Sequence, residues 1–288
     1  MARLALLAAL LLLAGCAGTG RPAGHTPAGA SAAPAPAASA PGSAAPAAHV
    51  FVVVMENRGY EEAMSQPYTA GLAARFAVAT NYHAVAHPSL PNYLALTGGS
   101  TFGITDDGYH QLPAAGIGDE LTAHGVSWRA YMDGMSRGCL ESPGPYAVKH
   151  NPFAYYGGGC PSNVVPLTAL DTDLAGATPR FVWISPDLCH DGHDCSSQQA
   201  DDLLAGLVPR ILESAAWQRN GLLLITWDED DGSAANRVPA IVVAPDLTGH
   251  ETSQPHDHYS LLATVEDRLH VPRLGEARQA RPFDELFN

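Results

Sequence analysis

The run Leu222-Leu223-Leu224-Ile225-Thr226-Trp227 passes directly into Asp228-Glu229-Asp230-Asp231-Gly232, so an apolar segment of strand length ends in four consecutive carboxylates. An unbroken apolar run of this kind reads as a strand buried on both faces, the habit of parallel sheets covered by helices. Ligands of open α/β sheets sit beyond the carboxyl ends of the strands. Four acids gathered there repel one another in a low-dielectric cleft unless cations or protons compensate them. Alone, an acidic run reads more often as a solvated turn. The segment His49-Val50-Phe51-Val52-Val53-Val54-Met55 repeats the pattern, however, and ends in Glu56-Asn57. Two buried strands that end in oxygen ligands point to a metal site.

Further apolar strand candidates fall at 126–132, 180–185 and 239–244. Segments with helical spacing separate them, such as Leu203, Leu204, Leu207, Val208, Ile211 and Leu212, or Leu261, Leu262, Val265 and Leu269. This alternation predicts βαβ units, hence an α/β fold with a mostly parallel sheet and helices on both faces. The 288 residues suffice for one large domain, which begins at residue 49 and carries no internal repeat. A Gly- and Pro-rich stretch from Ser136 to Pro166 is too long for a plain connection and reads as a surface excursion that contributes to a substrate rim.

The formal charge is −14 and lysine plus arginine total 15, a balance that argues against nucleic acid as a partner. An anionic substrate would have to be drawn by local cations and backbone N–H groups. At the N-terminus, Arg3 precedes an apolar run from Leu4 to Ala14, too short to span a bilayer, and the run reads as a secretory signal. Leu13-Ala14-Gly15-Cys16 resembles the bacterial lipoprotein processing box, which would make Cys16 the lipidated first residue of the mature chain; the alternative is cleavage at an ordinary small-residue site. Residues 17–48 are almost wholly Ala, Pro, Gly, Ser and Thr and read as a flexible tether, leaving the membrane as a partner only through the lipid. With Cys16 assigned to lipid, four cysteines remain, an even number that suggests disulfides in an exported chain. Pairing Cys139 with Cys160 and Cys189 with Cys195 closes the shortest loops, although the sequence allows three connectivities.

Three further segments carry chemistry. His87-Pro88-Ser89-Leu90-Pro91-Asn92-Tyr93 reads as a loop feeding a helix, with Ser89 near the N-cap and Pro91 in the first turn. Ser89 is thus either a capping serine or a hydroxyl set at the positive end of a helix, where an anion binds. Asp187-Leu188-Cys189-His190-Asp191-Gly192-His193-Asp194-Cys195 packs three aspartates and two histidines past the end of a strand, a density of oxygen and imidazole that suits a divalent ion. His256-Asp257-His258 opens the last amphipathic helix, where Asp257 either orients an imidazole or caps the helix.

In order along the chain, Met55-Glu56-Asn57, the His87–Tyr93 segment, Asp191-Gly192-His193-Asp194-Cys195, Thr226-Trp227-Asp228-Glu229 and His258-Tyr259-Ser260-Leu261-Leu262 resemble the phosphoesterase family. That family includes bacterial acid phosphatases and phospholipases C, within the alkaline phosphatase superfamily. The resemblance spans His49 to about Ala277 and implies an alkaline-phosphatase-like three-layer α/β/α sandwich. It implies that Glu56 and Asn57 are a first metal-ligand pair, Ser89 the phosphate-accepting nucleophile, and Asp228 with Glu229 the later acidic pair. Asp191, His193 and His258 complete the polar wall, the two histidines as ligands or as catalytic acids. Superfamily members often hold two divalent metals, but the usual aspartate four residues before a histidine is missing, since position 189 is Cys189 and Asp191 lies two before His193. His87 and Asn92 are candidate donors to the phosphoryl oxygens. The resulting expectation is an exported, metal-dependent phosphatase acting on phosphate monoesters through a phosphoserine. The alternatives are a phospholipase C-like phosphodiesterase and a surface lipoprotein that binds metal or phosphate without turnover.

Overall fold

The computed structural model describes residues 49–112, 115–232 and 235–287. The segments expected to be a signal and a tether, with Cys16, lie outside these residues. Ten strands and eight helices are described: β1 Val50–Met55, β2 Ala77–Ala79, β3 Tyr82–His83, β4 Trp128–Met132, β5 Val164–Pro166, β6 Phe181–Ser185, β7 Leu222–Trp227, β8 Ala240–Val243, β9 His250–Thr252 and β10 His256–Asp257. The helices are α1 Tyr60–Met64, α2 Pro67–Arg75, α3 Ser89–Gly98, α4 Ile117–Ala123, α5 Leu170–Ala175, α6 Ser197–Glu213, α7 Ala215–Gln218 and α8 His258–Leu269.

Eight strands form one sheet in the order β5-β4-β6-β1-β7-β8-β2-β9, and β10 pairs with β3 in a separate two-stranded sheet. From β5 to β7 every pair is parallel, and β8 is the one reversed strand, antiparallel to both β7 and β2. The five apolar runs of the sequence are β1, β4, β6, β7 and β8. Every residue of β1 and β7 is buried, as central parallel strands require. The other five strands have two or three residues each, too few to leave a periodic signal.

Helices pack in two groups, α2 against α6 and α3 against α8, as the outer layers of an α/β/α arrangement. Local sequence sets their limits. Ser196 accepts from Gln199 N in a capping box that starts α6, and the helix then buries Leu204, Leu207, Val208 and Ile211 on one face. Asp257 accepts from Ser260 N and starts α8 in the same way. Gly99 ends α3 with φ 66°, and a Cβ there would stand 2.4 Å from the carbonyl oxygen of Leu274. Only glycine lets the chain after α8 cross α3 so closely.

Both disulfides close the short loops, Cys139–Cys160 and Cys189–Cys195. The Ser136–Pro166 stretch is a surface excursion at its two ends, stapled by Cys139–Cys160, but its middle turns inward. Short 3-10 turns at Val148–His150 and Pro152–Ala154 bury His150, Asn151, Phe153, Ala154 and Tyr155, and β5 joins the sheet edge. Its glycines and prolines shape tight turns around an aromatic cluster in which Phe153 meets both Trp128 and Trp183.

Glu266 on α8 is fully buried, and its Oε1 accepts from Leu274 N at 2.8 Å. Burial pushes its carboxyl from 4.5 up to about 8. The folded chain therefore holds a proton on Glu266 between those two values that the unfolded chain releases, so this group favours folding at acid pH and loses that contribution as pH rises through about 8. Measured by thermal unfolding, wild type should lose Tm relative to Glu266→Gln as pH is raised from about 5 to about 8. A difference independent of pH would contradict the buried, protonated carboxyl.

Candidate active site

Strands β1 and β7 pair with Met55 opposite Trp227, so Glu56 and Asp228 leave neighbouring strands at the same level. Backbone bonds lace the loops that follow: Asp228 N donates to Met55 O at 2.9 Å, and Glu56 N to Asp191 O at 3.0 Å. Asn57 takes a left-handed φ of 50°, which Asn tolerates better than most residues, and its N–H donates to Asp228 Oδ1 at 3.2 Å. Gly192, at φ 98°, lies against Glu56 O, and its turn lets His193 N donate to Asp191 Oδ1 at 2.7 Å. Three strand ends thus deliver four carboxylates, Glu56, Asp191, Asp228 and Glu229, to one place.

Ser89 faces them from the first turn of α3. The N-cap is Pro88, so Ser89 is not a capping serine; its hydroxyl, 1% exposed, donates to Glu56 Oε2 at 3.2 Å. The second oxygen of Glu56 accepts from Tyr93 Oη at 2.7 Å, one helical turn further along α3. Tyr93 stacks on the His150 ring at 5.2 Å, and the His150 nitrogens lie 3.1 Å from Glu56 Oε1 and 3.1 Å from Asp191 Oδ2, neither contact having hydrogen-bond geometry. Lys149, the preceding residue, places Nζ 3.0 Å from Asp107 Oδ2, 3.1 Å from His193 Nε2 and 3.5 Å from Ser89 Oγ.

Burial dominates the electrostatics. It pushes Glu56 and Asp228 well above the ordinary carboxylate range, Asp191 to about 8 and Glu229 to about 7, with mutual repulsion adding to each. Burial likewise drives His150 well below its usual value, and the neighbouring Lys149 and His193 push it the same way. For Lys149 burial opposes the charge, but hydrogen bonding and attraction to Asp107, with Glu56 and Asp228 behind, leave its pKa raised. Each carboxylate shift disfavours the ionised form; a cation among the carboxylates would offset that.

Orphaned atoms converge on the same spot. Among the described residues, eight buried side-chain polar atoms lack a hydrogen-bond partner, and five of them are Asn57 Oδ1, Asp191 Oδ2, Asp228 Oδ2 and both His150 nitrogens. Buried polar groups are ordinarily satisfied, so this concentration fits a bound ion. Glu56, Asn57, Asp228 and Glu229 offer the oxygens suited to a hard divalent cation. Glu56, His150 and His193 are the group at this point whose donor atoms lie within 4.8 Å of one another among the described residues. A cation there would face the Lys149 ammonium 3.1 Å from His193 Nε2, which favours the oxygen set.

One expected residue is corrected, and a second is placed. His258 is fully buried with both ring nitrogens engaged, Nδ1 on Tyr82 Oη at 2.7 Å and Nε2 on the carbonyl of Asp228 at 2.6 Å. Burial lowers its pKa to about 4, so the ring is neutral and has no free lone pair for a metal and no proton to lend. Asp257 caps α8 and does not orient the imidazole. Asn92 spends its amide on the preceding loop: Oδ1 accepts from Val85 N and Ala86 N, and Nδ2 donates to Ala86 O at 2.9 Å. It braces that loop, and Nδ2 also lies 3.5 Å from Glu229 Oε2, at the edge of the carboxylate cluster. His87 stands at the rim, its side chain 46% exposed, with Nδ1 2.8 Å from Glu229 Oε2 and Nε2 3.3 Å from Asp230 Oδ1. Asp187 and His190 join Asp133 in a separate ion-paired cluster at the sheet rim.

Sequence reasoning missed Tyr93, Asp107, Lys149 and His150. Tyr93 lay inside a recognised segment, and Asp107 carries no local signature. For Lys149 a signal existed: it is the chain's single lysine, against 14 arginines.

The phosphoesterase family profile matches residues 62–272. A phosphatidylinositol-3-phosphatase of Mycobacterium tuberculosis is 32% identical over 253 residues, covering 83% of this chain and 83% of that protein. A probable acid phosphatase of Kluyveromyces lactis is 30% identical over 247 residues, and there the match covers 78% of this chain but only 59% of the yeast protein. In architecture the chain resembles a Vibrio parahaemolyticus protein of the alkaline phosphatase superfamily, with a TM-score of 0.59 at 11% identity over 81% of this chain and 72% of the other. With the family profile spanning most of the chain and a relative matched over most of both lengths, this protein belongs to the phosphoesterase family and is a phosphoric ester hydrolase on an alkaline-phosphatase-superfamily fold.

Proposed function

We propose that the protein is an exported, metal-dependent phosphatase that cleaves phosphate monoesters through a phosphoserine at Ser89. One observation carries this reading: a buried serine hydroxyl, at the positive end of α3, donates to the fully buried carboxylate of Glu56. A metal held by Glu56, Asn57, Asp228 and Glu229 would supply Lewis-acid polarisation of the phosphoryl oxygen and ease deprotonation of Ser89. Ser89 Oγ attacks phosphorus in line; the Ser–O–P bond forms as the ester P–O bond breaks, and the proton lost from Ser89 ends on the departing alcohol. Water then attacks phosphorus and its proton returns to Ser89 Oγ as the Ser–O–P bond breaks and phosphate departs, while His193, its Nδ1 2.7 Å from Asp194 Oδ1, turns Nε2 toward the site beside Lys149 Nζ. His258 holds the carbonyl of Asp228 and so sets the direction of that carboxylate from behind. Export rests on the N-terminal signal and is supported by two disulfides, which persist in oxidising compartments; anchoring through Cys16 rests on the processing box alone.

Turnover of an aryl phosphate, its phosphocholine diester and a phosphoinositide monoester, with and without chelator, separates the monoesterase from a phosphodiesterase and from a binding protein. Preferred hydrolysis of the diester would move the reading to the phospholipase C type.

Two substitutions at the strand end and behind it should behave differently. Asp228→Asn should purify with well under about one equivalent of metal by elemental analysis, partly restored by excess ion, because a carboxylate ligand sets both affinity and geometry. His258→Gln should keep its metal while losing stability. Equal metal loss in both would return His258 to the ligand set.

Ser89→Ala should stay folded and metal-loaded and lose at least about 10³ in kcat. Acid quenching of wild type during turnover of a labelled phosphate ester should leave label on the peptide that contains Ser89. Near wild-type turnover in the folded variant would remove the covalent mechanism.

A further inference from the structure

The only lysine of the chain lies beside the hydroxyl that the proposed reaction uses. All 14 other basic residues of lysine or arginine type are arginine. The side chain of Lys149 is 19% exposed and comes from the 3-10 turn Val148–His150, outside every segment that suggested the family. An ammonium has three N–H donors and no acceptor. Two are spoken for, by Asp107 Oδ2 at 3.0 Å and His193 Nε2 at 3.1 Å. The third direction leads to Ser89 Oγ at 3.5 Å, longer than the usual 2.7–3.2 Å of an N–H···O bond. Lys149 is therefore held from two sides with one donor underused on the side of Ser89.

Asp107 indicates what this position accepts. Its carboxylate takes Lys149 Nζ on Oδ2 and Leu90 N on Oδ1 at 3.0 Å, so an oxyanion already bridges the lysine and the first turn of α3. A phosphoryl group on Ser89 would present oxygens to the same ammonium.

We propose that Lys149 is a catalytic residue that donates a hydrogen bond from Nζ to a non-bridging oxygen of the phosphoryl group as it transfers to Ser89. The inference rests on the phosphoserine reading above. Lys149 keeps its proton throughout; it offsets negative charge on the phosphoryl oxygens and moves no atom between groups. An ammonium is a compact point charge with three donors, which a planar guanidinium fork does not reproduce. Asp107 and His193 act on this step as positioning residues, each fixing one N–H of Lys149.

Because the chain has one lysine, the full-length protein grown with 15N-lysine gives a single side-chain ammonium signal, assigned by its loss in Lys149→Met. Inorganic phosphate should shift that signal saturably, over the same concentrations at which it inhibits hydrolysis of an aryl phosphate. Lys149→Met should keep wild-type metal content and circular dichroism, lose about 10² to 10³ in kcat, and be inhibited more weakly by phosphate. Lys149→Arg should recover only part of the loss. A signal that stays fixed while phosphate inhibits would overturn the proposal and leave the phosphatase reading intact, as would near wild-type kcat and phosphate inhibition in folded Lys149→Met. A signal that follows phosphate in a protein that hydrolyses no phosphate ester would support Lys149 as the phosphate donor and overturn the phosphatase reading instead.

Discussion

The structure turns on carboxylates delivered to one buried point by neighbouring strands. Glu56 and Asp228 follow β1 and β7 in register and are both fully buried, with Asp191 and Glu229 beside them. Desolvation of an ionised carboxylate costs far more than any one hydrogen bond returns, so such a cluster persists only protonated or neutralised. The sheet can afford it because its apolar strands bury their own residues completely and need nothing from their ends. Stability is made in the middle of the sheet, and chemistry is placed at its carboxyl edge.

Around this point the chain builds a layer whose work is orientation. The neutral ring of His258 bridges Tyr82 Oη and the backbone of Asp228, Tyr93 ties Glu56 to α3, and Asn92 knots the loop that delivers Ser89. Each is buried and hydrogen-bonded in a way that matches its donors to its acceptors. The groups left unmatched, Asn57 Oδ1, Asp191 Oδ2, Asp228 Oδ2 and the His150 nitrogens, lie inside that layer. Supporting groups are satisfied by protein and central groups are not, which is the pattern of a site completed by something bound.

Much of this was legible in the sequence, and the omissions have physical reasons. Five apolar runs gave the five longest strands, because burial on both faces writes itself as unbroken hydrophobicity. Glu56, Asn57, Ser89, Asp191, His193, Asp228 and Glu229 do meet, because each follows a strand or opens a helix whose end could be read. His258 was read as part of the wall, but a histidine at a helix start carries no mark of which way its ring faces; Tyr82, 176 residues away, fixes that. Lys149 and His150 sit in a stretch without periodicity, where glycine and proline suggest surface, and only the packing of Phe153 and Tyr93 brings them inward. Composition held the one available clue in its single lysine.

The central claim is that the buried carboxylates hold a divalent cation against Ser89, and anomalous diffraction from crystals soaked in manganese tests it most directly. The account predicts one strong anomalous peak bonded to Glu56, Asn57 and Asp228, beside Ser89 Oγ. No peak among these residues, or a peak between Glu56, His150 and His193 instead, would contradict it.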